Sequence, residues 1–133
     1  MRRSAAALLA LAALAAAAPA HASGGGERKK GGGLSFTQFK PLMATVVRPD
    51  GRRGVLSVEA GIDTPDARLK ARADVLEPRL RDAYVQVLNA YAAAIPPGAP
   101  PDIDLLAQRL QLATDRVVGA PGSRLLIGTV IVN

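Results

Sequence analysis

Few side chains in this sequence have the type and spacing to do chemistry. Glu59 and Asp63 alternate with apolar residues over 55–63, so both fall on the wet face of one strand, a spacing read as about 7 Å from strand rise. Such a carboxylate pair could hold a cation or act as acid and base. No third group stands with it, and a solvated strand face is the better account of it. Arg48, Arg52 and Arg53 cluster around the turn within "RPDGRRG" and could grip an anionic ligand or a partner through their fixed N–H forks, with Asp50 offsetting part of their charge. The rest of the inventory is bare. The chain has no cysteine, no tryptophan and a single histidine, His21. With His21 in a removable leader, Ser-His and Cys-His nucleophile pairs and the usual zinc, copper and haem ligands drop out, and so does a disulfide. No catalytic residue, cofactor or metal site is expected.

The leader reading rests on the first 23 residues. Met1-Arg2-Arg3 is a short basic start, residues 5–18 form an uncharged run of alanine and leucine, and Pro19 ends it. Ala20-His21-Ala22 then gives the small-x-small pattern of a signal peptidase site, with cleavage before Ser23. The run of 14 residues falls short of the roughly 20 needed to cross a bilayer as a helix. The expectation is a signal peptide over 1–22 and a periplasmic product of 111 residues (133 minus 22), with an uncleaved anchor as the alternative. Removing Arg2 and Arg3 lowers the formal charge from +6 to +4. Residues 23–33 are glycine-rich around Glu27-Arg28-Lys29-Lys30 and read as a flexible linker, which could rest on anionic headgroups if the chain stayed anchored.

Residues 34–133 read as one α+β domain. "FTQFKPLMATVV" is an opening strand in which Pro41 demands an edge position or a bulge. Pro49-Asp50-Gly51 turns the chain into a second strand with Leu56, Val58, Ala60 and Ile62 on its dry face, completing a hairpin. Thr64 is placed as the cap, Pro65 as the first residue and Asp66 in the first turn of a helix. Its stripe is Leu69, Ala73, Leu76, Leu80, Tyr84, Val87 and Tyr91, in phase through Pro78, which predicts one kinked helix or two nearly collinear ones. "IPPGAPP" ends that helix. A second helix over 102–118 follows, with Leu106, Leu110, Ala113 and Val117 inward. The last strand, 124–132, is apolar on both faces, Leu125, Ile127 and Ile131 against Leu126, Val130 and Val132, and so is expected to be covered on both. The predicted fold is a small antiparallel or mixed three-stranded sheet with two helices, in the order β-β-α-α-β.

That order and its segments resemble the periplasmic domain of the flagellar basal-body-associated FliL family. The likeness is carried by "FTQFKPLMATVV", "GVLSVEAGIDT", "LEPRLRDAYVQVLNAY", "DLLAQRLQLATDRVV" and "LLIGTVIVN". It implies a domain similar to the stomatin and prohibitin type that self-associates beside the stator units of the motor, near the membrane surface, with no catalytic residues. Two departures stand out: the family usually keeps an N-terminal transmembrane helix, and Ala44-Thr45-Val46 occupies the place where its first strand commonly carries asparagine. The expected function is a non-enzymatic scaffold for protein partners. A soluble periplasmic domain that binds an anionic ligand through Arg48, Arg52 and Arg53 is the second expectation. Nucleic acid is not an expected partner, because Phe36, Phe39, Tyr84 and Tyr91 are the only aromatics and the tyrosines fall on a core stripe.

Overall fold

The computed structural model describes residues 33–133. The proposed leader and cleavage residues, Ala20, Ala22 and Ser23 among them, and most of the glycine-rich linker lie outside the described residues. The described chain is an α+β domain with four antiparallel strands and three helices: β1 (Phe36–Gln38), β2 (Leu42–Val47), β3 (Arg53–Asp63), α1 (Ala67–Val75), α2 (Glu77–Ala94), α3 (Ile103–Val118) and β4 (Arg124–Val132).

The expected three strands and two helices thus become four and three, and prolines cause both changes. Gln38 lies opposite Gly61 and Leu42 opposite Val58, so three residues on one side face two on the other. Lys40 and Pro41 therefore share the place opposite Glu59, a bulge that divides the opening strand into β1 and β2. Because β4 takes the other side of β3 from Leu56 to Asp63, β1 and β2 lie along one edge and the sheet has three rows. Pro78 acts likewise on the helix. α1 stops at Val75 and α2 restarts at Glu77, which puts Pro78 in a first turn, where its missing N–H costs nothing.

The β2–β3 hairpin closes as "RPDG" predicts. The Gly51 N–H donates to the Arg48 carbonyl (2.9 Å), the Arg48 N–H to the Arg52 carbonyl (2.8 Å), and the Arg52 N–H to Asp50 Oδ1 (3.0 Å). Gly51 takes the left-handed conformation at φ 77°, which this turn followed by a bulge requires.

The helices cover one face only. Leu42, Ala44, Val46, Leu56, Val58, Ala60 and Ile62 point into a core with Leu80, Tyr84 and Leu88 of α2 and Leu106, Leu110 and Val118 of α3. Two stripe positions shift: Leu88 and Val118 are fully buried, while Val87 and Val117 are half-buried beside them. The Tyr84 hydroxyl sits 2.6 Å from Thr114 Oγ1, which itself donates to the Leu110 carbonyl (2.9 Å), so Tyr84 is the donor. Phe39 meets its ring edge-on at 5.1 Å.

Thr64 is not the helix cap. It is buried and donates to Ser123 Oγ (2.9 Å), tying the end of β3 to the start of β4. Asp66 caps α1 by accepting from the Leu69 N–H at 2.8 Å, and Asp102 caps α3 by accepting from the Leu105 N–H at 2.9 Å. Asp66→Ala should therefore cost about 1 kcal/mol in chemical denaturation, whereas Thr64→Ser, which keeps the buried hydroxyl pair, should cost less.

Burial raises the Tyr84 hydroxyl from 10.0 to about 12, against the lowering pull of Thr114 and with a small push from the Asp115 charge. Between those values the unfolded chain has released a proton that the folded chain still holds. Stability is thus complete below pH 10 and declines as pH climbs toward 12, by about 2 kcal/mol. Alkaline denaturation curves should show this decline, and Tyr84→Phe should remove its steepest part.

Candidate functional site

The surface left open by this arrangement is the outer face of the sheet. On it stand Met43 and Val47 of β2, Val55 of β3 and Ile131 of β4, exposed by 62, 50, 43 and 46%. Met43, Ser57 and Ile131 share one cross-strand row, and Thr45 and Val55 the next, so these side chains are neighbours. The last strand was expected to be covered on both faces. It is instead an edge strand in which only Leu125 is buried, with Leu126, Ile131 and Val132 exposed.

A bulge also changes the facing of β4. Ile127 pairs with Ala60 and Val130 with Val58, so Gly128 and Thr129 together oppose Glu59. The inward set is therefore Leu125, Ile127, Val130 and Val132 and the outward set Leu126 and Ile131, a change of phase that simple alternation misses.

Glu59 consequently sits between two bulges, Lys40-Pro41 on one side and Gly128-Thr129 on the other. It lines a shallow cleft of about 490 Å³ together with Phe36, Gly61, Asp63 and Leu126. The Phe36 ring covers Gly61 so closely that a Cβ there would come within 2.3 Å of it. Four residues of strand put about 13 Å between the Glu59 and Asp63 backbones, not the 7 Å read from the sequence, which is the interval of two residues. The two carboxylates cannot share one ion. No group of three potential metal ligands occurs among the described residues.

The three arginines stand at the hairpin tip, at the opposite end of β3 from Phe36 and Gly33, about 30 Å along the strand. They do not converge. Arg53 pairs with Val47 on the outer face, Arg52 belongs to the turn, and the Arg48 stem lies across Gly54, where a Cβ would meet its Cγ at 3.0 Å. Arg48 thereby reaches a second cleft of about 400 Å³, walled by Val47, Pro49, Ile95, Pro100 and Val132. Pro49 rests against Gly98 at φ 78°, and this docks the "IPPGAPP" loop on the hairpin.

Sequence reasoning passed over Gln111, a polar residue that looked like ordinary helix surface. Its amide nitrogen donates to Asp115 Oδ1 (3.0 Å) and to the Ser123 carbonyl (2.8 Å), and its amide oxygen accepts from the Leu125 N–H (2.8 Å). That side chain fastens α3 to the start of β4.

No protein-family model matches the chain, and no curated protein sequence matches it. No helix among the described residues is long and apolar enough to cross a membrane.

Proposed function

We propose that this chain is a non-enzymatic periplasmic protein of FliL type that associates with itself and with an inner-membrane complex, the flagellar motor and its stator. The observation that carries the reading is the open outer face, where Met43, Val47, Val55 and Ile131 lie exposed on adjacent strands with no layer over them among the described residues. Contiguous exposed apolar side chains and unpaired strand edges are the physical means of protein assembly. The residue inventory supports a scaffold over an enzyme, because a chain without cysteine, and with its one histidine at position 21, has few groups that titrate near neutral pH. The segment order set out above supports the family and the stomatin-like likeness, and the basic start, apolar run and Ala20-His21-Ala22 support export.

Co-purification of tagged chain with stator and basal-body proteins from envelope fractions tests the partner. Recovery of those proteins, lost when Met43 and Ile131 are both changed to Glu, is the expected result. Recovery unaffected by the double change would contradict the outer face as the docking surface.

A second reading is favoured by one observation, the Arg48 stem held over Gly54 at the lip of an apolar cleft. In it the domain binds an anionic ligand at the hairpin tip. Changing Arg48, Arg52 and Arg53 together to Gln would then abolish binding of a probe such as anionic phospholipid vesicles and leave assembly unchanged; retained binding would dismiss this reading.

A further inference from the structure

We propose that a second copy of the chain pairs with the Leu42–Val47 edge, antiparallel about a two-fold axis at Thr45, so that two sheets join into one. The proposal rests on the self-association reading and says where and in what register it occurs.

The backbone geometry carries it. The Val55 N–H and C=O both bond Asn133, at 3.0 Å each, on the β4 side of β3. Thr45, which lies opposite Val55 on the other side, is therefore a non-bonded partner within the hairpin, and its N–H and C=O point away from the sheet. Alternation along the strand gives Met43 and Val47 the same outward direction. Three donors and three acceptors thus stand in a row with no protein partner among the described residues.

This row is complementary to itself. Setting Thr45 opposite the partner's Thr45 puts Met43 opposite the partner's Val47 and Val47 opposite the partner's Met43. All six donors and acceptors of each copy are then satisfied by six bonds. The paired Met43 and Val47 side chains, both half exposed or more in the single chain, come together on the outer face.

The ends and the composition of the edge fit the same pairing. Residues 42–47 contain no charge, proline or glycine, and so lack the devices that usually blunt an edge. The edge stops cleanly at the bulge. Pro41 has no N–H to offer, and the Lys40 carbonyl is already taken by the Arg81 guanidinium at 2.9 Å. The other candidates are poorer: β1 has three residues, and β4 is broken at its middle by the Gly128-Thr129 bulge.

Six backbone bonds and two pairs of apolar contacts make a small interface beside the roughly 1,200–2,000 Å² of a stable complex. The dimer is accordingly weak, with a dissociation constant on the order of micromolar to millimolar.

Because the chain has no cysteine, single substitutions read the register directly. In the paired sheet, Thr45→Cys sets two thiols across a bonded pair, with Cα atoms about 5.5 Å apart and within disulfide reach. Met43→Cys sets them about 13 Å apart. Under mild oxidation the whole chain carrying Thr45→Cys should form a covalent dimer at least tenfold faster than the chain carrying Met43→Cys. Thr45→Lys, at an exposed position, should weaken association about tenfold or more while leaving the thermal transition of the monomer in place. Equal cross-linking of the two cysteine variants, or undiminished association of Thr45→Lys, overturns the register. Were sedimentation still to show association, assembly would stand and only this edge would be dismissed. A chain that never associates would remove both.

Discussion

Tyr84→Ala is expected to remove about 3–5 kcal/mol of stability, the largest loss of any single truncation in the described domain. Tyr84 is the largest fully buried side chain, and three elements meet on it. Phe39, just before the first bulge, packs against its ring edge-on, and its hydroxyl bonds Thr114 of α3 while its own backbone belongs to α2. Truncation empties the space between sheet and helices and leaves Thr114 Oγ1 without its donor. A domain of this size has roughly 5–15 kcal/mol in all, so the variant should unfold at or near physiological temperature. Tyr84→Phe keeps the volume and loses only the hydrogen bond, for about 1 kcal/mol. A calorimetric comparison of the two separates packing from polarity. Equal losses would mean that the hydroxyl pair, not the ring, holds the layers together.

Gln111→Ala is the second large effect, about 3 kcal/mol, and it comes mainly from lost hydrogen bonds rather than lost apolar burial. Its amide satisfies the Ser123 carbonyl and the Leu125 N–H in a partly buried seam, and removing it strands both. The loss should be local as well as global. Amide exchange at Leu125 should quicken far more than at Leu56 in the centre of the sheet. Gln111→Glu keeps the acceptor for the Leu125 N–H but turns the donor to the Ser123 carbonyl into a second acceptor, and should recover only part of the loss. Uniform quickening across β3 and β4 would show that the seam is not an independent fastening.

Much of this fold is legible in the sequence, for reasons that can be traced to single residues. The hairpin follows from Pro49, Asp50 and Gly51, whose backbone preferences require no tertiary help. The strand β3 follows from strict alternation, and the inner face is the one expected, Leu56, Val58, Ala60 and Ile62. The bulges are less legible. Pro41 announces the first, but nothing in "LLIGTVIVN" fixes the second at Gly128-Thr129, because that register depends on what β3 presents to it. Choosing Val87 over Leu88 for the core stripe is an ambiguity of helical spacing, since steps of three and four both keep phase, and the neighbouring helix decides. Thr64 is an ordinary cap residue by type. Only the approach of Ser123, 59 residues further on, makes it a buried partner instead.

The surface is read less fully than the core. The arginines are visible as a group around a turn, but whether they converge depends on which face each leaves the strand from, and Arg48 and Arg53 leave from different faces. The apolar excess of the last strand does point to a surface in want of a cover. Where the sequence suggests two covered faces, the structure has an edge strand and an open outer face, and the free backbone groups lie across the sheet on β2. A strand edge is a property of the backbone, and in the sequence only Pro41, which demands an edge position or a bulge, points to it.

Sedimentation velocity of the purified chain, from about 1 μM to about 1 mM, tests self-association most directly. The expected result is a sedimentation coefficient that rises with concentration toward that of a dimer or larger assembly. A single monomeric boundary across the whole range would contradict it.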